Sequence, residues 1–527
     1  MARLVFILFF FLSFIGVAAQ PNTIKNNVFW NTVDGRPVYS QGGGVFRFAD
    51  PSTGQQQYYW YGVHYTQAEL YRADPSVTHS HDYFEAVTCY TSTDLVNWTA
   101  VGPVLQRGEL DRNFGRTAWV GRMGVAFIKE LNQYAMMIQH NDQLLFLLSD
   151  SPAGPFKWHH RKSMEPVIGT SNTGDQTVFT DEDTGKSYLV YSYGRGRNRI
   201  YISEIGVVDG KVDLLDCTEI FKGEGREGNC MVKYQGKYYM FASNLYGWDS
   251  SYAYYLVADE IRGPYRPENN MLIVPGSMDD YAHVTQTGFF ISVRGSKQET
   301  VIYCGDRWAN FAGNGLGYNQ WFPLSFEGET PYFNSLDAWQ LNAATGEWRV
   351  APGNNYVRNA SFEADRKYIP SPVKPLQEQL KGWYSKVYKG NTIVIGSPHS
   401  PVLNYYNTAD DRKQVTGEKS LNIADTIAFT RRVFQQIEST PYVKLPDGRY
   451  TLTAKVKYTA GFHVLYMYAE SGGRKRVKSL VPGAQGWTSV ELKKVAVRNG
   501  KVEIGFYADA QAGASCQVDD VSLVRDN

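Results

Sequence analysis

A pattern of apolar and polar positions recurs along the first two thirds of the chain. An apolar pair, a turn containing Gly or charged residues, and a Tyr-rich apolar run follow one another five times. The apolar pairs start at residues 45, 125, 178, 231 and 289. Each copy predicts a β-hairpin, because two half-buried strands flank a turn. A third apolar strand follows, and the phrase Gly154-Pro155-Phe156 after one such strand returns as Gly263-Pro264-Tyr265 after another.

Five such units predict a five-bladed β-propeller, since each blade needs three or four consecutive antiparallel strands. An array of β-sandwiches is the alternative, but it would not repeat hairpin and third strand in register. From Asn359 the pattern changes to the alternating strands of one sandwich, such as DGRYTLTAKVKY and QVDDVSL. The sequence therefore predicts an all-β protein, a five-bladed β-propeller followed by a β-sandwich.

The chain is too long for a single core, and its texture suggests where it divides. Arg3 and the apolar run 4–17, followed by Ala18-Ala19, are typical of a cleaved signal peptide, so we expect a secreted or periplasmic protein. No later run is long enough to span a membrane. The predicted divisions are a signal peptide at 1–19, a propeller at 20–349, a linker at 350–358 and a sandwich at 359–527.

The amino-acid composition limits the classes of binding partner. Lys and Arg number 53 against 52 Asp and Glu, and this balance gives no electrostatic case for nucleic acid or for an anionic membrane. Aromatic residues reach 14%, which suits strand packing and surfaces that face sugars. No CxxC or HExxH spacing occurs, so we expect no cofactor for catalysis. We expect a monomer that acts on an oligo- or polysaccharide.

Polar residues precede the apolar pairs and should converge at the centre of the propeller, because the innermost strand of each blade lines one channel. They lie at 41–44 and 122–124 and at Asp175, Glu227 and Gln286. Buried carboxylates that approach each other shift each other's pKa, as at many catalytic sites. The alternative is a polar channel filled with water.

Cleavage of a glycosidic bond needs an acid that protonates the leaving oxygen. The charge of Asp175 would raise the pKa of Glu227 toward neutrality and so keep Glu227 protonated. Aromatic rings near the hub would then stack on the sugar, although packing between blades is an equal alternative for each of them. The aromatic candidates are Trp119, Trp248 and Trp308.

At these residues the chain resembles glycoside hydrolase family 43, in particular its branch of exo-acting β-1,3-galactanases and galactosidases. The matching text includes YYWYG, CYTSTDLVNW, GDQTVFTDEDTGKSYLVYS, REGNCMVKYQGKYYMFAS and GDRW, within roughly residues 30–350. The resemblance implies that Glu227 is the general acid and that Asp175 tunes it and orients the substrate. It also implies that Gln286 is the base, acting as its imidic tautomer. The further substrate-binding candidates are Gln41, Arg122, Asp306 and the three Trp residues.

The chain departs from that branch in two places. Gln41 stands where the branch usually has His, and Gly121-Arg122-Met123-Gly124 stands where it has Glu-Arg-Pro-Lys. That Glu binds galactose in the relatives, so the terminal sugar, galactose or arabinofuranose, stays open. The blade-one Asp base of the family's α-L-arabinofuranosidases and β-xylosidases has no clear counterpart, and Asp34 is only the nearest acid. We expect Asp34 outside the site, and Glu227 facing Gln286 across a gap of roughly 6.5–9.5 Å.

The C-terminal part is similar to carbohydrate-binding modules and to jelly-roll, galactose-binding-like domains, on the opening NASFE and the closing VDDVSL. Such modules often hold a structural calcium ion, here through Glu363 and Asp520, whose hard oxygens suit calcium. The alternative is that Asp519 and Asp520 only terminate a strand. Two functions follow from the sequence: an inverting exo-glycosidase that acts on arabinogalactan-like chains, or a sugar-binding protein without catalysis.

Overall fold

The computed structural model describes residues 22–79, 83–115, 119–308, 319–364, 380–394, 397, 399–480 and 486–526. The predicted signal peptide lies outside these residues. Within the described residues, no helix is long and apolar enough to cross a membrane.

Strands dominate the first part of the chain. They are β1 (Thr23–Lys25), β2 (Gln41–Ala49), β3 (Gln56–Tyr65), β4 (Phe84–Ser92), β5 (Thr99–Gln106), β6 (Met123–Ile128), β7 (Gln133–Gln139), β8 (Leu144–Ser149), β9 (Lys157–Lys162), β10 (Thr173–Asp181), β11 (Lys186–Tyr193), β12 (Arg199–Val208), β13 (Lys211–Leu214), β14 (Thr218–Lys222), β15 (Glu227–Tyr234), β16 (Lys237–Ser243), β17 (Ala253–Ala258), β18 (Leu272–Ile273), β19 (Gln286–Arg294), β20 (Glu299–Asp306), β21 (Asn319–Glu327), β22 (Thr330–Phe333), β23 (Ala338–Leu341) and β24 (Trp348–Val350). Short helices interrupt them at α1 (Thr66–Ala73), α2 (Arg107–Phe114), α3 (Glu165–Ile168) and α4 (Tyr281–Val284).

These strands form five consecutive antiparallel sheets, which confirms the five-bladed propeller. The blades are β2–β5, β6–β9, β10–β13 with β14 beside β12, β15–β18 and β19–β22. A further small sheet pairs β1 with β23, and β23 with β24, so it joins the start of the described chain to the strands that follow the last blade.

The second part of the chain is a sandwich of two five-stranded antiparallel sheets. Its strands are β25 (Tyr384–Lys389), β26 (Asn404–Tyr406), β27 (Lys419–Ala424), β28 (Phe429–Glu438), β29 (Gly448–Tyr458), β30 (Phe462–Ser471), β31 (Arg474–Ser479), β32 (Thr488–Val497), β33 (Lys501–Ala510) and β34 (Ser515–Arg525), with α5 at Ala409–Arg412. One sheet has the order β25-β28-β33-β30-β31, and the other has the order β26-β27-β34-β29-β32. This confirms an all-β fold with a C-terminal sandwich, whereas the residue numbers of the domain divisions stay a prediction.

The two parts bury their strands differently, and the sequence reflects this. The middle strands of a blade pack against neighbouring blades on both faces, so β8 reads LLFLLS and almost every residue is buried. In the sandwich, β29 alternates buried and partly exposed residues along GRYTLTAKVKY, because one face meets the core and the other meets solvent.

Four of the five innermost strands share one irregularity that places the polar residues. The pairing of β2, β10, β15 and β19 with the next strand shifts register within their first few residues, as β-bulges do. A bulge bends the strand locally and re-aims its side chains. Because the bulges lie at equivalent positions, the side chains beside them point into the same end of the central channel.

Candidate active site

A cavity of about 250 Å³ opens where the innermost strands begin. The residues that line it come from all five blades and from the loops between them. They are Gly42, Val63, Tyr65, Trp119, Gly121, Arg122, Gln139, Asp175, Arg197, Glu227, Gly247, Trp248, Gln286 and Trp308. The structure thus brings together the three predicted catalytic residues, Arg122 and all three predicted Trp residues.

Arg122 is the centre of the hydrogen-bond network below the cavity. Its guanidinium donates to Asp175 at 3.0 Å, to Asp306 at 2.8 Å and to the side-chain oxygen of Gln286 at 2.9 Å. Burial alone would lower the pKa of Arg122, but the charges of the two carboxylates outweigh it and raise the pKa above its ordinary value. Arg122 therefore stays charged and holds side chains from two other blades, the third and the fifth, in fixed positions.

Asp175 is an ionised carboxylate. Burial by itself raises its pKa, but Arg197, Arg122 and the backbone N–H of Gly228 outweigh that effect and hold the pKa at about 2. The N–H of Gly228 donates to one carboxylate oxygen at 2.8 Å. Gly228 has φ of +63°, and a Cβ there would lie 2.4 Å from the carbonyl oxygen of Thr287, so only glycine fits this position.

Glu227 has the opposite character. Its side chain is buried, and burial together with the charge of Asp175 raises its pKa to about 8, although Arg197 and Arg122 oppose the shift. One carboxyl oxygen lies 3.5 Å from the guanidinium of Arg197. Near neutral pH, Glu227 is therefore mostly protonated beside an ionised Asp175, which is the pairing that general acid catalysis requires.

Gln286 follows a strained turn. The four residues of α4, immediately upstream, all have positive φ between 46° and 62°, so this is one left-handed helical turn built without glycine. Such backbone costs roughly 1–2 kcal/mol per residue and occurs preferentially at functional sites. Asp280 stabilises the turn, because its carboxylate accepts from the N–H of His283 at 2.9 Å and from the hydroxyl of Ser335 at 2.6 Å.

The predicted gap between Glu227 and Gln286 is wrong. The amide nitrogen of Gln286 donates directly to Glu227 Oε1 at 2.6 Å. The amide oxygen of Gln286 accepts from Arg122 at 2.9 Å and from the indole N–H of Trp308 at 3.0 Å. The sequence showed that both residues face the channel, but not that the bulges of β15 and β19 bring them into contact. Asp34, as expected, lies elsewhere, in an exposed ion pair with Arg36.

Trp248 and Trp308 form one wall of the cavity. Their rings meet edge to face with centroids 5.1 Å apart. The guanidinium of Arg122 lies 6.0 Å from the ring of Trp308, at the limit of a cation–π contact. Trp119 lines the cavity at another point and occupies the space beside Gly121, where a Cβ would lie 2.3 Å from the indole.

Two predicted substrate-binding residues lie behind the cavity surface. Asp306 is buried beneath Arg122, accepts from the N–H of Gly42 at 3.3 Å, and has a pKa raised by burial. Gln41 is also buried and donates to the carbonyl oxygen of Arg307 at 3.4 Å. Neither is among the described lining residues, so the structure gives them supporting positions.

Sequence reasoning missed Arg197 and Gln139. Arg197 lies between the two acids, 3.3 Å from Asp175 and 3.5 Å from Glu227. Gln139 accepts from the backbone N–H of Arg122 at 3.1 Å. Gln139 is the last residue of β7, and Arg197 lies in the turn between β11 and β12, so both are outside the positions that precede the apolar pairs. The sequence GRGRNR was the one signal for Arg197. A cation from such a run lowers the pKa of an acid that it approaches, as Arg197 does for Asp175.

The first residues of the sandwich contact the two loops that carry Trp248 and Trp308. The hydroxyl of Ser250, two residues after Trp248, donates to the carbonyl oxygen of Ala364 at 2.8 Å. Arg307, next to Trp308, lies 3.9 Å from the buried carboxylate of Glu363. Both loops that carry the wall therefore contact the sandwich.

Glu363 and Asp520 do not share a partner in the structure. Glu363 accepts from the backbone N–H of Lys419 at 2.6 Å, and burial raises its pKa to about 7. Asp520 pairs with Lys455 at 3.1 Å, and its neighbour Asp519 is the buried carboxylate. Among the described residues, no group of three or more His, Cys, Asp or Glu side chains is arranged to hold a metal ion.

A protonated carboxylic acid beside an ionised one, in a cavity walled by Trp residues, is an arrangement suited to acid-catalysed cleavage of a glycosidic bond. Residues 64–315 match the family model described as Glycosyl hydrolases family 43. Residues 64–315 are therefore a domain of the glycoside hydrolase family 43 type, and this supports glycoside hydrolase activity.

Solved structures share this architecture at low sequence identity. The exo-β-1,3-galactanase from Phanerochaete chrysosporium is 19% identical, with a TM-score of 0.53, and the match covers 95% of this chain and 100% of that one. The exo-β-1,3-galactanase from Clostridium thermocellum is 18% identical, with a TM-score of 0.53, covering 96% and 100%. These similarities show the fold, in both its propeller and its C-terminal part. No curated protein matches the sequence.

Proposed function

We propose that the protein is an exo-acting, inverting glycoside hydrolase that releases terminal galactose or arabinofuranose from galactan or arabinogalactan-type side chains. The observation that carries the proposal is Glu227, whose pKa is about 8, beside ionised Asp175 in a small cavity. The names of the two enzymes with the same fold support a β-1,3-galactan. A cavity of this volume suits one terminal sugar rather than the middle of a chain.

In this proposal Glu227 transfers its proton to the glycosidic oxygen as the bond from that oxygen to the anomeric carbon breaks. Asp175 keeps the acid protonated before the step and stabilises the positive charge that develops on the sugar ring. Trp248 and Trp308 bind the apolar face of the sugar. Water attacks the anomeric carbon from the opposite face and gives up a proton to a base, which inverts the anomeric configuration.

The resemblance assigns the role of base to Gln286, and the hydrogen bonds that Gln286 makes restrict when it can act as one. The imidic tautomer carries a hydrogen on the amide oxygen, where both partners, Arg122 and Trp308, are themselves donors. The nitrogen faces Glu227 at 2.6 Å, which leaves no space for a sugar and a water between them. Gln286 therefore acts as the base only after a bound sugar has separated it from Glu227.

Position 121 keeps the choice of terminal sugar open. A side chain there would collide with Trp119 and also lie 2.6 Å from Gln139, so the galactose-binding Glu of the resembling branch has no room here. The other activities of the family, α-L-arabinofuranosidase and β-xylosidase, are therefore alternatives. Among the described lining residues Asp175 and Glu227 are the only carboxylic acids, so no third carboxylate lines the cavity to act as the base. This favours a catalytically inactive sugar-binding protein as the second candidate function.

The proposal is tested by product analysis. The full chain is incubated with β-1,3-galactan, arabinogalactan oligosaccharides and a panel of aryl glycosides, and proton NMR follows the anomer formed first. We expect single galactose or arabinose units, released with inverted configuration. Internal fragments would contradict exo action, a retained anomer would contradict the mechanism, and binding without any product would favour the sugar-binding alternative.

The acid role also predicts a pH dependence. Glu227 must be protonated, so the rate should fall as the pH rises through about 8. Asp175→Asn removes the neighbouring negative charge and should move this basic limb to lower pH, because the pKa of Glu227 falls. The measurement is kcat/KM against pH for both proteins. An unmoved limb in a folded variant would make Asp175 a binding residue only.

We also propose that the protein is exported and that the sandwich binds sugar. The apolar segment 4–17 supports secretion, and the module-like text NASFE and VDDVSL supports sugar binding by the sandwich. The described side chains do not fit a calcium ion, which takes six to eight oxygen ligands, because Lys455 already pairs with Asp520. We therefore do not propose the structural calcium ion that the sequence suggested at Glu363 and Asp520.

A further inference from the structure

One face of the sandwich exposes a row of aromatic rings. The row lies on the sheet β25-β28-β33-β30-β31, whose opposite face supplies Val433, Phe506 and Met467 to the core. Because side chains alternate along a strand, the neighbouring residues point away from the core. We call these outward rings the aromatic belt: Tyr384, Tyr388, Phe434, Tyr466 and Tyr507.

The rings of the belt form two groups on four adjacent strands. Tyr388 lies 6.2 Å from Tyr507 between ring centroids, and Tyr507 is stacked on Tyr466 at 5.0 Å. Tyr384 lies 5.8 Å from Phe434. Tyr384 and Tyr388 are 48% and 52% exposed. The other three rings are partly exposed. Clustered exposed rings of this kind mark an interaction site, whereas single exposed rings do not.

The register places a glycine beside the belt. In the row that runs from Phe434 to Tyr468, the residue between them is Gly505. Gly505 is itself buried, and a Cβ there would lie 2.4 Å from the carbonyl oxygen of Val433 and 2.8 Å from the Cβ of Phe434, so Phe434 packs directly over the glycine. Adjacent strands lie about 4.8 Å apart, so a chain that crosses the sheet from β33 to β30 meets the stacked rings of Tyr507 and Tyr466 in succession.

The charges on this face are balanced. The cations Lys386, Arg432 and Lys475 share it with the carboxylates Glu470, Glu503 and Asp509. Arg432 pairs with Glu503 at 2.9 Å, and Lys475 lies over the ring of Tyr468 at 4.2 Å. A polyanion would meet as many carboxylates as cations here, so the charge pattern complements a neutral ligand rich in hydroxyl groups.

We propose that the aromatic belt binds a neutral glycan chain that crosses the strands. The tyrosines offer both an apolar ring and a hydroxyl, and the flanking ionic side chains donate to and accept from sugar hydroxyls. This site is distinct from the cavity in the propeller. The choice of galactan as its ligand rests on the function proposed above, whereas the belt itself rests on the sheet.

The test measures binding by the full chain in the Glu227→Gln background, so that turnover does not consume the ligand. Retardation in native gels that contain soluble β-1,3-galactan reports the affinity. The double variant Tyr466→Ala/Tyr507→Ala should weaken retardation about tenfold or more, since each lost ring contributes roughly 1 kcal/mol. Tyr406→Ala, an exposed tyrosine of the opposite sheet, is the matched control and should not change it.

Each outcome decides the proposal. Tyr384→Ala/Tyr388→Ala removes the more exposed end of the belt and replaces the first double variant if that one unfolds. Undiminished retardation in folded variants would overturn the belt, and so would a preference for polygalacturonate that disappears with salt. A third outcome is that the wild type does not hydrolyse galactan, while the belt variants lose the retardation that another neutral glycan causes. This would support the belt and contradict only the choice of galactan.

Discussion

Glu227→Gln is expected to lower the hydrolysis rate of an unactivated galactan about a hundredfold or more. Gln keeps the size of the side chain and can still hydrogen-bond Gln286, but it has no proton to give to the leaving oxygen. Aryl glycosides with good leaving groups need little protonation, so their rates should fall far less. The measurement is kcat/KM on both substrate types for the wild type and the variant.

Asp34→Asn provides the control for the acid. Asp34 is an exposed carboxylate whose partners are Arg36 and Thr32, so its neutralisation should leave both rates unchanged. Equal losses on the two substrate types in Glu227→Gln would contradict the acid role. A larger loss in Asp34→Asn than in Gln286→Ala would show that the base is not where the resemblance places it.

Arg122→Met is expected to lower the free energy of unfolding by about 3–5 kcal/mol, because it leaves the buried carboxylate of Asp306 without its cation and removes one of the two cations beside Asp175. Asp306 has this guanidinium 2.8 Å away and a pKa already raised by burial. Activity should fall together with stability, since Gln286 and Asp175 lose their common anchor. Urea denaturation of wild type and variant gives the difference directly.

Arg197→Met is the matched control for this prediction. Arg197 also faces Asp175, at 3.3 Å, but its side chain is one third exposed, so water can replace its contacts. We expect a loss of about 1 kcal/mol or less for this variant. Similar losses in the two variants would show that the burial of Arg122 does not determine its contribution.

The repeat allowed the fold to be predicted, because every blade reuses one hairpin pattern and because the change to strict alternation marks the sandwich. The same repeat located Asp175 and Glu227, since equivalent positions in successive blades meet at one axis. The contact between Glu227 and Gln286 was not predictable, because one-residue bulges change where a side chain points without changing the apolar pattern. Such a bulge depends on hydrogen bonds between strands, to which the sequence gives no direct access.

At the end of the sandwich, too, the sequence did not predict which side chain is buried. Asp519 and Asp520 are adjacent acids, and the pattern of DDVSL alone does not say which one turns inward. In the structure Asp520 has φ of +47°, and the strand pairing slips beside Asp519, so the expected alternation is interrupted there. The buried carboxylate is consequently Asp519, one residue from the predicted ligand.

The contacts of Ser250 and Arg307 with the first residues of the sandwich have an evolutionary consequence. Families of modular enzymes often change specificity by exchanging an accessory domain while the catalytic domain stays intact. Here an exchange would also release the two loops that form one wall of the cavity. Propeller and sandwich should therefore be inherited as one unit, and a hybrid that joins this propeller to a foreign module would change what the cavity accepts as well as what the module binds.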